Sequence, residues 1–96
     1  MSLVVRFLVE AEDDFDRITE FLQAAAPHAV PDMVEMIFSA LDTLSASPDI
    51  GRPVRGRPRF RELILRFGRG AYVLRYRVGG DTLYVVRIFH SRENRD

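Results

Sequence analysis

Residues 71–90 read AYVLRYRV, then GGD, then TLYVVRIFH. No other stretch restricts the fold so strongly. Side chains alternate with period two, which puts Tyr72, Leu74, Tyr76 and Val78 on one face of a strand and Val73, Arg75 and Arg77 on the other. The glycines Gly79 and Gly80 are free to take positive φ, so GGD reads as a tight hairpin connection and the next segment returns antiparallel. A three-residue connection sets Tyr76 opposite Tyr84 and Leu74 opposite Val86. Tyr84, Val86 and Ile88 then join the buried face, and Arg87 falls beside Arg75 and Arg77.

The rest of the chain supplies what such a hairpin needs. FRELILRF at 60–67 is a further strand, joined through the turn Gly68–Gly70, and LVVRFLV at 3–9 is a short, mostly buried one. Between them lie two helical patterns. Glu12, Asp13, Asp14 and Asp16 crowd what reads as the first turn of one helix, where carboxylates suit the positive end of the helix dipole. Its apolar face is Phe15, Ile18, Leu22 and Ala25, and Pro27 stops it. The second helix opens at Pro31 and carries the stripe Val34, Ile37, Leu41 and Leu44, ending before Pro48 and Gly51. Met33 and Met36 read as core or hairpin surface. The order β-α-α-β-β-β predicts an α+β fold, a helical hairpin on one face of a mostly antiparallel four-stranded sheet, with 1–96 as a single domain.

Charge is divided unevenly. Residues 1–50 hold two arginines and ten acids, whereas residues 51–96 hold twelve arginines and four acids, so a net charge of zero conceals halves of −8 and +8. Either the halves neutralise each other within the fold, or a basic surface faces a polyanion or an acidic protein. Arg52, Arg55, Arg57, Arg59 and Arg61 crowd GRPVRGRPRFR after the second helix, and the chain has no lysine. Guanidinium binds carboxylate or phosphate through two parallel hydrogen bonds, which ammonium cannot do. A codon bias toward arginine would explain the missing lysine but not the clustering.

Other chemistries find little support. Without cysteine there is neither a disulfide framework nor a thiolate metal site, which suits a reducing cytoplasm. His28 and His90 stand apart and make no ligand set, so no metal and no cofactor is expected. No apolar run reaches the roughly 18 residues of a membrane helix, so no membrane partner is expected. There is no nucleophile elbow and no phosphate loop; GRPVRG fits neither spacing. Histidine is the residue type that exchanges a proton near neutral pH. His90, at a strand end beside Arg92, suits a general acid or base, or else a hydrogen-bonded histidine that closes the sheet. Tyr72, Tyr76 and Tyr84 read as packing groups rather than base-stacking ones.

The element order, SPDIGRP after the second helix, RELIL, YVLRYRV and the terminal RIFHSREN together resemble the RelE/ParE toxins of bacterial toxin–antitoxin systems, often labelled plasmid stabilisation proteins. The resemblance spans nearly the whole chain. It implies a cytoplasmic toxin neutralised by a cognate antitoxin, whose C-terminal segment wraps it as helix or strand. ParE-like members poison DNA gyrase and are not nucleases; RelE-like members cut ribosome-bound mRNA by driving the 2′-hydroxyl onto the adjacent phosphate. Arg66 and Arg92 match two arginines of the RelE-type site, Arg66 loosely, but its lysines and C-terminal tyrosine have no counterpart. Arg57 and Arg59 replace the charge but are poor proton acceptors. GRP, REL and HSRE look closer to ParE. The expectation is therefore a gyrase-directed toxin with no firm catalytic residue, Arg61, Arg66, Arg75, Arg87 and Arg92 meeting the target and Arg52, Arg55, Arg57 and Arg59 the antitoxin. The alternatives are a RelE-type endoribonuclease using Arg66, His90 and Arg92, or a non-toxic binding module of the operon.

Overall fold

The structure is a computed structural model that describes residues 2–93; residues 1 and 94–96, the end of the polar tail, lie outside the described residues. Strand β1 (Val4–Phe7) leads into helix α1 (Val9–Ala25), a 3-10 turn at Pro27–Ala29 and helix α2 (Val30–Ala46). After a second 3-10 turn at Pro48–Ile50 come β2 (Arg52–Val54), β3 (Arg57–Phe67), β4 (Gly70–Gly79) and β5 (Thr82–His90). The strands form one sheet in the order β1-β5-β4-β3-β2, with β1 parallel to β5 and the remaining pairs antiparallel.

The expected α+β sandwich is present with one strand more than the sequence pattern gave. GRPVRGRPRFR is not a loop. Gly56, at φ 78°, turns the chain back so that Arg52 and Pro53 pair with Glu62 and Arg61. Prolines at 53 and 58 hid this hairpin, because proline is tolerated only where its missing N–H faces away from a neighbour, as on an edge strand.

The β4–β5 register also departs from expectation. Gly79 pairs with Thr82, so the connection is only Gly80 and Asp81, with Gly80 at φ 59°. Val85, not Tyr84, lies opposite Tyr76, and Ile88, not Val86, lies opposite Leu74. The register shift between Arg75 and Tyr76 leaves Val86 as an extra residue on β5, and a bulge of this kind reverses the alternation beyond it. Leu83, Val85 and Ile88 are therefore the buried residues of β5, while Tyr84 and Val86 are not. Arg87 does lie directly across from Arg75, as expected.

The core lies between sheet and helices. Ile37, Leu41 and Leu44 are at most 2% exposed, with Met33 and Ala11 fully enclosed beside them. Ala25 is exposed, and Ala11 takes the place assigned to it on the α1 face. The reason is that α1 starts earlier than its acidic run suggests. The Leu8 N–H donates to the Val85 carbonyl, and the Leu8 carbonyl accepts from the Ala11 and Glu12 amides, so the helix is under way by Val9. Only Glu10 and Glu12 sit in the first turn, and Asp14 turns inward, buried.

Candidate functional site: an arginine groove on the open sheet face

The sheet face away from the helices carries Val73, Arg75 and Arg77 of β4 and Tyr84, Arg87 and Phe89 of β5, by the two-residue alternation and the bulge. Two adjoining depressions cross it. One, of ≈ 330 Å³, is lined by Leu8, Glu10, Arg57, Phe60, Arg75, Val86, Arg87 and Phe89. The other, of ≈ 320 Å³, is lined by Arg57, Pro58, Arg59, Phe60 and Arg77. They share Arg57 and Phe60, and together make a groove of guanidinium groups interleaved with aromatic rings.

The groove is held from beneath by ion pairs. Arg75 is 5% exposed, so it does not lie on an exposed face as the alternation alone suggests. Its Nε and Nη2 lie 2.9 and 2.8 Å from Glu62 Oε2. Arg87 donates through Nε and Nη2 to Asp14 Oδ2 and Oδ1 at 2.7 and 3.1 Å. Two like charges directly across a ladder repel; here each has its own carboxylate. Both guanidinium groups also lie over the Phe89 ring, 5.2 and 4.8 Å from its centroid, and Arg77 lies 4.3 Å from that of Tyr84.

Burial by itself would push the Asp14 carboxyl up. Hydrogen bonds from Arg87, the Ile88 amide and Arg17, with the charge of Arg87, outweigh it and hold the carboxyl below its ordinary value. Asp14 is the site residue that sequence reading missed. It sat within a run of acids, and the signal that singles it out is its place four residues before Ile18, on the apolar face of the helix.

The structure regroups the other candidates. Arg57 and Arg59 line the groove with Arg75, Arg77 and Arg87, so residues assigned to antitoxin and to target share one surface. Arg52 lies 3.9 Å from Glu62, and Arg55 is exposed near the tip of the β2–β3 hairpin. Arg61 points to the helix side, where Nη1 donates to the carbonyls of Gly51 and Asp49 at 2.7 and 3.3 Å. Arg66 is exposed near the end of β3, on the groove face, since its neighbours Leu65 and Phe67 pack on the core.

His90 is on the other side of the sheet. It pairs with Tyr72, their rings meeting edge-on at 5.3 Å, and lines a separate cleft of ≈ 460 Å³ with Arg17, Ile18, Phe21, Arg92 and Glu93. Its Nδ1 accepts the Arg92 N–H at 3.1 Å. Burial, then the charge of Glu93, raises the Tyr72 phenol above its ordinary value. His90 and Arg92 thus share one cleft, and Arg66 stands apart from them on the other face of the sheet. Among the described residues no group of three or more His, Cys, Asp or Glu is placed to hold a metal ion, and no helix is long and apolar enough to cross a membrane.

Fold and groove together define a small two-layer α+β protein that presents permanent positive charge on its open sheet face. The family described as the ParE toxin of type II toxin–antitoxin system, parDE, matches residues 5–95. Toxin RelE1 of Caulobacter vibrioides is 38% identical over 95 residues, spanning 99% of this chain and 100% of that protein. Toxin RelE3 of the same organism is 36% identical, spanning 88% and 90%. Among solved structures, the chromosomal ParDE system of P. aeruginosa superposes with a TM-score of 0.76 at 22% identity, covering 95% of this chain and 98% of the other. The RelBE2 toxin–antitoxin complex of Mycobacterium tuberculosis gives 0.64 at 26%, covering 94% and 99%. The chain belongs to the RelE/ParE superfamily and is a toxin of a type II toxin–antitoxin system.

Proposed function

We propose that this toxin acts by binding DNA gyrase rather than by cutting RNA, and that a cognate antitoxin neutralises it by covering the arginine groove. The observation that carries the reading is the separation of the arginine groove from His90 by the sheet. RNA cleavage through the 2′-hydroxyl needs a group within reach to take its proton. The groove is lined by arginines, which cannot, and by one carboxylate, Glu10, exposed at its rim. Its two underlying carboxylates, Glu62 and Asp14, are engaged by Arg75 and Arg87. His90 faces the helices. Inhibition by binding needs only fixed charge and shape. In this reading Arg66 and Arg87 contact the target from the groove face, Arg75 is held beneath them on Glu62, Arg92 lies in the His90 cleft on the helix side, and Arg61 supports the loop before β2. Acidic antitoxin residues meet Arg52, Arg55, Arg57 and Arg59. Because Arg57 and Arg59 also line the groove, antitoxin and target exclude each other there.

The test runs two assays in parallel on the purified toxin: supercoiling by gyrase, and cleavage of message on ribosomes. The expected result is loss of supercoiling with message intact, with His90→Gln as inhibitory as the parent and Arg87→Ala weaker. Cleaved message that disappears in His90→Gln or in Glu10→Gln, the carboxylate at the groove rim, overturns the reading and makes the protein an endoribonuclease.

A further inference from the structure

We propose that Asp14 is the positioning residue of the groove: it fixes the plane and direction of the Arg87 guanidinium, which then meets the target. The inference rests on the binding role given to the groove above.

The coordination of Asp14 supports it. Oδ2 accepts Arg87 Nε at 2.7 Å and the Ile88 N–H at 2.9 Å. Oδ1 accepts Arg87 Nη2 and Arg17 Nη2, each at 3.1 Å. A carboxylate has about four acceptor sites, and all are filled. The fork contact uses the inner edge of the guanidinium, leaving Nη1 to point away from Asp14, while the Phe89 ring supports its face.

Topology explains why α1 supplies this group. β1 pairs with β5 only as far as Phe7 and Val85, so the edge of β5 beyond the bulge has no strand neighbour. Asp14 takes the Ile88 N–H there, and Glu93 takes the His90 N–H at 2.8 Å. Arg17 bridges the two carboxylates, 3.1 Å from Asp14 and 2.6 Å from Glu93. One side chain thus closes an open edge and aims an arginine on the far face.

The conservative change is Asp14→Asn. Its amide oxygen, placed where Oδ2 was, can still accept from Ile88 and from Arg87 Nε, but its NH2 takes the place of Oδ1 and sets a donor against Arg87 Nη2, so the second half of the fork is lost. Three readouts separate positioning from folding. In an NMR spectrum of the free toxin, the Arg87 Nη2–H should give a sharp, slowly exchanging signal that vanishes in Asp14→Asn while backbone amide dispersion persists. Gyrase inhibition should weaken roughly ten- to hundredfold, the worth of one or two charge-assisted hydrogen bonds. In an Arg87→Ala background, Asp14→Asn should weaken inhibition no further.

A persistent Arg87 signal in Asp14→Asn, or additive losses in the double variant, overturns the positioning role. If wild type does not inhibit gyrase but the Arg87 signal behaves as described, positioning stands and the target assignment fails. If Arg87→Ala inhibits fully, Arg87 does not meet the target and the proposal fails whatever the spectrum shows.

Discussion

Tyr76 is the residue on which the arginine hairpin hangs. Its side chain is 1% exposed, and its hydroxyl does two things: it donates to the Pro48 carbonyl at 2.6 Å and accepts the Gly51 N–H at 3.0 Å. The chain enters β2 immediately after Gly51. Tyr76→Phe keeps the ring and removes both bonds. A buried amide left without an acceptor costs about 1–3 kcal/mol, and a carbonyl that water can reach about 0.5–1.5 kcal/mol. The sum is about 2–4 kcal/mol, which in a domain of this size lowers the melting temperature by roughly 10–30 °C. Urea unfolding of the two proteins measures it directly. The loss should appear in the midpoint with the slope unchanged. Gly51→Ala is the companion change. Gly51 needs no special φ, but an added Cβ would sit 2.7 Å from Tyr76 Cε1 and 2.9 Å from Cζ. Removing the hydroxyl therefore should not rescue Gly51→Ala. A Tyr76→Phe loss under about 0.5 kcal/mol, within the range of an ordinary surface change, would refute the claim that this hydroxyl secures the hairpin.

Leu41, 2% exposed at the centre of the α2 stripe, should lose about 2–5 kcal/mol on truncation to alanine, read by the same unfolding assay. The Asp14 carboxyl has a folded pKa below its unfolded one, near 3.9. Its contribution is thus present above about pH 4 and fades as pH falls through the lower folded value. The stability gap between wild type and Asp14→Asn should therefore be constant near neutrality and narrow in acid; a gap that does not change with pH would show that Asp14 is not held ionised by its partners. Association with the antitoxin should slow from low to high salt, measured by stopped flow, because rim charges act mainly on encounter; an unchanged rate would remove the arginines from recognition.

The layers and the order of the main elements along the chain were legible because their signals are local and redundant: stripes at helical spacing in α2, alternation in β4, glycine at turns. What was lost depended on counting. One residue fewer in the β4–β5 connection and one extra at Val86 exchanged Tyr84 and Val86 for Leu83 and Val85 in the core. No composition signal marks a bulge at the second of two adjacent valines. The arginine groove was half legible. Arg75, Arg77 and Arg87 followed from alternation, but Arg57 and Arg59 joined them only because the stretch before FRELILRF is strand, against two prolines. Asp14 and Glu62, which make the groove tolerable, were invisible as partners because each lies far in sequence from its arginine.

The missing lysines now have a structural answer at some positions and not at others. Arg87 and Arg75 each use Nε together with Nη2 on a buried carboxylate, and Arg61 uses one Nη1 on two carbonyls. An ammonium is a point donor on a flexible stem, with nothing equivalent to Nε and no flat face for the ring of Phe89 or Tyr84. Arg55, Arg59 and Arg66 are exposed and make no ion pair with another described residue. There lysine would serve the fold as well. Substitution by lysine should therefore split into two classes. Arg87→Lys and Arg75→Lys should each cost about 1.5–3 kcal/mol, the worth of a hydrogen bond to a charged group left unmade beside a buried carboxylate. Arg55→Lys, Arg59→Lys and Arg66→Lys should stay within about 0.5 kcal/mol of the parent. Urea midpoints for the five variants decide it. If all five cluster near zero, the fork contacts add nothing that a point charge does not, and the choice of arginine carries no structural meaning at these five positions.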